Sequence, residues 1–185
     1  REVNPIRIGG YLATGCELDL SNIYKYLMQK NIAIYVPALH PVLKGCLQFR
    51  ELEFNSDGIS DRTIKHSGHV VNDYGILEPD YNSSKTIPPW RLDLVLLPLL
   101  ACDSKGERLG MGGGYYDRSF AFCNYMKNKG NKNKNNLNDT FCSVSQGPVL
   151  IGCGYDFQKV ERLIASEWDV RLGGFLSPDA GVEIF

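Results

Sequence analysis

Residues 106–118 hold the densest group of side chains that could do chemistry in this chain of 185 residues. The segment reads Gly-Glu-Arg-Leu-Gly-Met-Gly-Gly-Gly-Tyr-Tyr-Asp-Arg and places four glycines within five positions. Glycine adopts positive φ and lets a ligand approach the backbone without a Cβ in the way. A glycine loop that leads into a helix presents unpaired N–H groups and the positive end of the helix dipole, and both favour an anion. The pattern indicates a site for the phosphates of a nucleotide.

Two charged residues of this segment strengthen that interpretation. Arg108 supplies a planar cation suited to phosphate oxygens, and Asp117 supplies a carboxylate that could hold a phosphate-bound magnesium ion. The segment lacks both the Gly-Lys-Ser/Thr ending of a Walker A loop and the Gly-x-Gly-x-x-Gly spacing of a dinucleotide fingerprint. The alternative is a glycine-rich turn that only joins a strand to a helix. Convergent charge on a loop favours the site.

The elements around this loop predict an α/β fold, a three-layer sandwich with a mostly parallel central sheet. Residues 92–97 are almost entirely apolar, which is typical of a strand covered on both faces, and residues 115–126 favour a helix. Ligands of open α/β sheets bind at the carboxyl ends of strands, where the glycine loop stands. The other predicted strands and helices are strands at 6–13, 32–36 (ended by Pro37), 47–54 and 149–153, a helix at 20–27 capped by Asp19 or Ser21, and a short helix at 160–165.

The bulk properties describe one soluble globular domain over residues 1–185. The net charge is −1, and 43% of the residues are hydrophobic, so neither nucleic acid nor a membrane is expected as a partner. The six cysteines form no Cys-x-x-Cys pair and are expected to be reduced and mostly buried. With no signal peptide in view, we expect a cytoplasmic protein, and we expect a monomer.

Residues 127–138 are low in complexity, with four lysines and six asparagines in twelve positions. Such a segment buries little apolar surface, so it is predicted to be a mobile surface loop or insertion. Its lysines could contact a nucleic acid, but solvated runs of charge are common.

Five shorter stretches accompany residues 92–118, at 11–19, 35–37, 74–79, 151–156 and 168–169. They read Tyr-Leu-Ala-Thr-Gly-Cys-Glu-Leu-Asp, Tyr-Val-Pro, Tyr-Gly-Ile-Leu-Glu-Pro, Ile-Gly-Cys-Gly-Tyr-Asp and Trp-Asp. In this order and spacing, the six segments resemble the 5-formyltetrahydrofolate cyclo-ligase family, also called 5,10-methenyltetrahydrofolate synthetases. The central block is specific and the flanking ones are individually weak. The resemblance implies the same α/β architecture, with reduced folate and ATP as small-molecule substrates and Mg²⁺ as a cofactor.

The resemblance also implies roles for individual residues. Arg108 and Tyr115 are implied to be catalytic, and Asp117 and Asp169 to bind magnesium. The implied ATP-binding residues are Arg108, Leu109, Gly110, Met111, Gly112, Gly113, Gly114, Tyr115 and Tyr116. The implied folate-binding residues are Leu12, Glu17, Tyr74, Met111, Gly112, Gly113, Gly114 and Tyr115.

The family's reaction closes a ring on the folate. ATP phosphorylates the oxygen of the N5-formyl group, N10 attacks the activated carbon, and phosphate leaves to give 5,10-methenyltetrahydrofolate and ADP. In such phosphoryl transfer the protein supplies alignment and charge stabilisation. Glu17 could accept two parallel N–H bonds from the pterin, and Tyr115 could stack on the pterin or hydrogen-bond to it near the formyl group.

Each of these roles has a plainer alternative. Glu17 could be a polar residue before a helix, Asp117 could favour the helix dipole, and Asp169 could cap a turn. Tyr74 and Leu12 could pack in the core.

The chain also departs from the family's pattern. Many members carry an N-terminal helix with a Lys and an Arg that reach the ATP phosphates, and we expect this helix to be missing. Gly113 stands where some members have Lys, and Gly173 stands where Asp is usual. Two other functions therefore stay open: a sugar-phosphate isomerase or related phosphate-binding α/β enzyme, and a protein that binds folate or nucleotide without turnover.

Overall fold

The structure is a computed structural model that describes residues 6–52, 69–72, 74–80, 85–132 and 147–185; for residues 69 and 125–132 only the backbone is described. Within these ranges, two short 3₁₀ helices lie at Pro89–Arg91 and Asp156–Gln158, and the chain also forms twelve strands and two α-helices. In chain order they are β1 (Arg7–Gly9), α1 (Ser21–Gln29), β2 (Ala33–Leu39), β3 (Leu47–Glu51), β4 (His69–Val71), β5 (Leu77–Pro79), β6 (Thr86–Ile87), β7 (Leu94–Pro98), β8 (Ala101–Cys102), β9 (Arg108–Leu109), α2 (Tyr115–Lys132), β10 (Val149–Cys153), β11 (Gly174–Ser177) and β12 (Gly181–Ile184).

Eight of the strands form one sheet in the order β12-β11-β10-β7-β1-β2-β3-β6. The five strands from β11 to β2 run parallel, and the outer strands β12, β3 and β6 are antiparallel to their neighbours. Two small hairpins, β4-β5 and β8-β9, stand outside this sheet. The predicted α/β class with a mostly parallel central sheet is confirmed.

The two helices cover opposite faces of the sheet. Ile34 and Val36 of β2 belong to the core that includes Tyr24 of α1. Tyr35 lies between them in the strand and belongs to the core that includes Phe120 of α2. Because successive side chains of a strand point to opposite faces, the two cores lie on either side of the sheet, which confirms the three layers.

Strand β2 continues through Pro37 to Leu39, so the prediction that Pro37 ends it is wrong. Pro37 pairs with Phe49 of β3, while the amide of Leu39 points away from β3 and donates to Glu78 Oε1 at 2.9 Å. Residues two apart in a strand share their orientation, so the nitrogen of Pro37 also points away from β3. The N–H that proline lacks is therefore not one that would bond to β3, so no hydrogen bond between β2 and β3 is lost. Proline is usually found where its nitrogen is on the unpaired side of a strand.

The helix predicted at residues 160–165 is wrong. Val160 donates from its amide to the carbonyl of Cys102 at 2.8 Å, and the amide of Leu163 donates to Asp103 Oδ2 at 3.0 Å. These bonds attach the segment to β8 and to the turn that follows it, and the segment has no regular secondary structure. Ile164 is 99% exposed, so this apolar side chain makes no buried contact that would stabilise a helix.

Several predicted boundaries also shift. Strand β1 is confined to Arg7–Gly9 within the predicted 6–13. Helix α1 begins at Ser21, whose amide donates to Asp19 Oδ1 at 2.9 Å. Helix α2 runs to Lys132, so the first part of the predicted loop at 127–138 is helical, and its remainder lies outside the described residues. No helix in the described part of the chain has both the length and the apolar character of a membrane span.

Candidate active site

The candidate site is a cleft of about 1130 Å³ at the carboxyl ends of two neighbouring parallel strands. The segments that follow β1 and β7 leave the sheet at the same edge, which is the usual place for a ligand in an open α/β sheet. Every residue that the sequence predicted for the site lines this cleft, namely Leu12, Glu17, Tyr74, Arg108, Leu109, Gly110, Met111, Gly112, Gly113, Gly114, Tyr115, Tyr116, Asp117 and Asp169.

The glycine loop joins β9 to α2 and forms one wall of the cleft. Gly112 has φ of 82° and Gly114 has φ of 63°, a region that side chains with a Cβ rarely adopt. A Cβ on Gly112 would meet nothing within 4 Å, so backbone conformation rather than crowding requires glycine there. Helix α2 begins directly after the loop at Tyr115. The N-terminus of α2 therefore lies at the cleft, which is where a helix favours an anion.

Arg108 and Asp117 form an ion pair with each other in this cleft. Nη2 of Arg108 lies 3.0 Å from both carboxylate oxygens of Asp117, and the amide of Val170 donates to Asp117 Oδ1 at 3.2 Å. The Arg108 side chain is 6% exposed, and its buried Nε has no hydrogen-bond partner among the described residues. The predicted phosphate ligand and the predicted metal ligand thus neutralise each other here, which the sequence did not indicate.

Asp169 occupies the turn that precedes this contact. Its Oδ2 accepts from the amide of Ser166 at 2.8 Å, and its own amide donates to the carbonyl of Ser166 at 3.1 Å. Asp169 therefore does cap a turn, as the alternative had it. The next residue, Val170, bonds to Asp117, so the backbone brings the two predicted magnesium carboxylates to the same wall. Among the residues that the structure describes, no group of three or more His, Cys, Asp or Glu side chains could hold a metal.

Glu17 lies on the opposite segment, which follows β1. Its Oε2 accepts from the amide of Thr14 at 2.8 Å and from the Thr14 hydroxyl at 3.1 Å. These bonds fix the turn between β1 and α1, and the side chain still lines the cleft. Leu12 lines the cleft and also packs against the core on the α1 side, so the packing alternative is observed and its contact with folate stays a prediction.

Tyr74 and Tyr115 meet across the cleft. Their hydroxyl oxygens are 2.6 Å apart, and their rings stand edge to face with centroids 5.8 Å apart. Tyr74 is 63% exposed, which excludes the core-packing alternative for this residue. The hydrogen bond connects the segment before β5 to the first residue of α2.

Arg118 is a residue of this cleft to which the sequence analysis gave no role. Its Nε donates to the carbonyl of Gly45 at 2.8 Å, and its Nη2 donates to the carbonyl of Gly113 at 2.6 Å. The guanidinium also lies over the ring of Tyr115, 5.2 Å from the centroid. The available signal was spacing, because residues three and four apart on a helix share a face.

Two buried tyrosines, Tyr11 and Tyr24, and the partly buried Tyr116 lie at or beneath the cleft. Burial raises the pKa of Tyr11, Tyr24 and Tyr116 above the usual value, and for Tyr116 the charge of Arg108 opposes that rise in pKa. The hydroxyl of Tyr11 donates to the carbonyl of Leu18 at 2.7 Å. These phenols therefore stay protonated at neutral pH, and Tyr11 and Tyr116 line the cleft.

The family model for 5-formyltetrahydrofolate cyclo-ligases matches residues 4–178. The chain belongs to this family. It is 32% identical to the 5-formyltetrahydrofolate cyclo-ligase of Haemophilus influenzae over 162 residues. That alignment covers 88% of this chain and 70% of the Haemophilus influenzae protein. It is 30% identical to the protein of the same name from Escherichia coli K12 over 168 residues, and this alignment covers 91% of this chain and 75% of the Escherichia coli protein.

Solved structures show the same fold. The solution structure of 5,10-methenyltetrahydrofolate synthetase from Aquifex aeolicus matches with a TM-score of 0.63 and 21% identity, over 97% of this chain and 72% of that one. The 5,10-methenyltetrahydrofolate synthetase from Mycoplasma pneumoniae matches with a TM-score of 0.56 and 19% identity, over 91% of this chain and 71% of that one. At these identities the likeness concerns the fold alone.

Proposed function

We propose that this protein catalyses the ATP-dependent cyclisation of 5-formyltetrahydrofolate to 5,10-methenyltetrahydrofolate, with release of ADP and phosphate. The observation that carries the proposal is the shared cleft. The predicted pterin side, with Glu17, and the glycine loop at 110–114 both line it. A phosphate donor and a folate could thus meet within one cavity, as phosphoryl transfer between them requires. Membership of the cyclo-ligase family supports the same reaction.

The reaction proceeds in two bond exchanges. The formyl oxygen attacks the terminal phosphorus of ATP, and the bond from that phosphorus to ADP breaks. N10 then attacks the formyl carbon and loses its proton, and the carbon–oxygen bond breaks to release phosphate. The amide oxygen, a poor leaving group, thereby departs as phosphate. The chain's task is to align the formyl oxygen with the phosphorus and to stabilise the charge on the transferring group.

The glycine loop and the first turn of α2 supply the phosphate site. The loop lines the cleft, the space beside Gly112 is open, and amides at such a loop and helix N-terminus can donate to phosphate oxygens. Arg108 stands at the base of the loop, and a phosphate competes with Asp117 for its guanidinium. Its buried Nε, which has no hydrogen-bond partner among the described residues, is a further donor that an anion could satisfy.

The donor set fits magnesium. Asp117 and Asp169 would hold the ion, and both offer carboxylate oxygens, the ligands that Mg²⁺ prefers. Magnesium is commonly bound by one or two carboxylates together with substrate phosphates and water, so two carboxylates beside a phosphate site suffice. Bound there, the ion neutralises charge on the phosphates.

We expect folate contacts both from Glu17, on the segment that follows β1, and from Tyr115, directly after the glycine loop. Glu17 already accepts two hydrogen bonds from Thr14 through Oε2, which orients its carboxylate. The other oxygen, Oε1, can then accept from the pterin. Tyr115, whose hydroxyl is hydrogen-bonded to that of Tyr74, could contact the folate with its ring or its hydroxyl beside the loop.

We also infer that the protein works as a monomer in the cytoplasm, with reduced folate and ATP as its small-molecule partners. The five cysteines that the structure describes form no disulfide with one another, which suits a reducing compartment.

The test is turnover of the purified protein with 5-formyltetrahydrofolate, ATP and Mg²⁺. We expect the absorbance of the methenyl product to grow, with one ADP formed per product, and to stop growing when Mg²⁺ is chelated. Binding of folate and ATP by calorimetry without any product would contradict the proposal and identify a binding protein instead.

A further inference from the structure

Arg118 connects three segments that meet at the mouth of the cleft. Its Nε bonds to the carbonyl of Gly45 in the loop between β2 and β3, and its Nη2 bonds to the carbonyl of Gly113 in the glycine loop. Its guanidinium lies over the ring of Tyr115 at 5.2 Å from the centroid. Gly45 and Arg118 are 73 residues apart in sequence, so this contact is a product of the fold.

The backbone around the guanidinium leaves room for it. A Cβ on Gly45 would lie 2.7 Å from both Nε and Nη2 of Arg118, and a Cβ on Gly114 would lie 2.7 Å from its Nη1. Both glycines have positive φ, of 78° and 63°. Two glycines from separate segments thus flank the same side chain, and neither position accepts a larger residue without displacing it.

The geometry requires arginine rather than a generic cation. A guanidinium is planar and presents its N–H groups in a fixed fork, so it can bond two carbonyls at once while one face rests on an aromatic ring. A lysine ammonium is a point charge on a flexible stem and cannot hold both carbonyls in that arrangement.

The β2–β3 loop is itself anchored to the body of the protein. Directly after it, the amide of Leu47 donates to the hydroxyl of Ser119 at 2.8 Å, and that hydroxyl donates to the carbonyl of Tyr115 at 2.6 Å. The glycine loop has few side chains with which to hold itself. A bond from Arg118 to Gly113 therefore restrains the loop against a fixed support.

We propose that Arg118 is a positioning residue for the reaction, which bridges Gly45 and Gly113 and so holds the glycine loop and Tyr115 ready for ATP. This inference rests on the proposed function, because the loop matters only if it receives the nucleotide. Without the bridge, the loop must become ordered when ATP binds, and the ordering costs affinity. The effect falls on the KM for ATP more than on kcat.

The first experiment compares Arg118→Lys with the wild type. We expect the KM for ATP to rise on the order of tenfold, kcat to change far less, and the amides of residues 110–114 to exchange hydrogen for deuterium faster. Arg7→Lys is the matched control, because Arg7 pairs with Asp93 at 3.4 Å and does not line the cleft. The control should keep wild-type constants and wild-type exchange at 110–114.

The second experiment displaces the guanidinium without touching the cleft. Gly45 lies outside the cleft lining, and Gly45→Ala places a Cβ against Arg118. Gly181→Ala is its matched control, because Gly181 has a similar φ of 74° and nothing within 4 Å of a Cβ. Both variants should lose similar thermal stability from backbone strain, but only Gly45→Ala should raise the KM for ATP and speed exchange at 110–114.

The outcomes separate the two proposals. If Gly45→Ala and Arg118→Lys act through one bridge, the double variant should be no worse than Arg118→Lys alone. Wild-type KM and wild-type exchange in both single variants, or effects that multiply in the double variant, would overturn the bridge. A wild-type chain that shows no ATP turnover would instead contradict the proposed function, while the exchange rates of the loop would still decide whether Arg118 holds it.

Discussion

At the scale of residues, the most informative contact is the ion pair between Arg108 and Asp117. The pair lies at the base of the glycine loop, with the Arg108 side chain 6% exposed and that of Asp117 20% exposed. Removal of one partner would leave a charge in a poorly hydrated place, which is costly. The same two side chains are predicted to hold phosphate and magnesium. In this arrangement the two opposite charges neutralise each other.

The guanidinium of Arg108 should act on the transferring phosphate. Arg108→Ala should lower kcat on the order of 100-fold or more, because a positioned cation stabilises charge that develops in the transition state. Steady-state kinetics with saturating folate and ATP measure this effect. The surface variant Arg7→Lys serves as the control, and an Arg108→Ala enzyme with the wild-type rate would remove this residue from the mechanism.

The stability of the pair can be separated from its function. Asp117→Asn should lower the unfolding free energy by about 3 kcal/mol, because the buried guanidinium loses its counter-charge. The double variant Arg108→Met with Asp117→Leu should recover much of that loss but remain inactive. Urea denaturation and the product assay measure the two effects. Wild-type stability in Asp117→Asn would show that the ion pair contributes nothing to the fold.

The hydrogen bond between Tyr74 and Tyr115 offers a matched pair of variants. Tyr74→Phe and Tyr115→Phe each remove this hydrogen bond. Its loss alone should lower kcat/KM by about 2- to 10-fold. If the Tyr115 hydroxyl also contacts the folate, Tyr115→Phe should be clearly the worse variant. The kcat/KM for 5-formyltetrahydrofolate measures the difference. An equal loss of kcat/KM in both variants would show that the Tyr115 hydroxyl bonds only to Tyr74 and does not contact the folate.

At the scale of elements, Asp103 determines the course of the chain on either side of the site. The side chain is 2% exposed, and its Oδ1 accepts from the amides of Lys105 and Glu107 in the β8-β9 hairpin, while Oδ2 accepts from Leu163. Burial alone would raise the pKa of Asp103, but the three amides together hold that pKa below its usual value. One carboxylate thus connects the hairpin before the glycine loop to the segment after β10.

The sign of the resulting pH dependence follows from the lowered pKa. The carboxylate of Asp103 contributes its full stability above the ordinary aspartate pKa of about 3.9, and the contribution is lost as pH falls through the lower pKa of the folded state. Asp103→Asn should cost about 1 to 3 kcal/mol at pH 7, because the amide cannot accept all three bonds. In thermal melts, its difference from the wild type should shrink below about pH 4. A difference that is constant with pH would contradict this role.

The elements also show what sequence patterns predict well. Strand β7 and helix α1 were predicted close to their observed places because a fully apolar run and a single apolar face are local signals. The helix predicted at 160–165 failed because its course is decided by Asp103, 60 residues away in sequence. The prediction that β2 ends at Pro37 failed because a strand tolerates proline where its nitrogen points away from the paired neighbour, and the sequence does not show which side of β2 is paired.

At the scale of the whole molecule, the sequence predicted which residues line the candidate site, but not the contacts that these residues make with one another. The predicted residues share one cleft because most belong to one contiguous segment, and the others follow β1 or line the same edge. The Arg108–Asp117 pair and the contact from Arg118 to Gly45 depend on how the loop turns in space. No periodicity in the sequence carries that information. The roles assigned to individual residues stay predictions.

The proposed reaction depends most directly on the fate of one atom, the formyl oxygen of the substrate. If ATP activates that oxygen, it must leave the folate bonded to phosphorus. The direct measurement is turnover with 5-formyltetrahydrofolate labelled with ¹⁸O in the formyl group, followed by mass spectrometry of the inorganic phosphate. We predict one ¹⁸O atom in each phosphate released. Product formed with unlabelled phosphate, and with the label in water, would contradict the account.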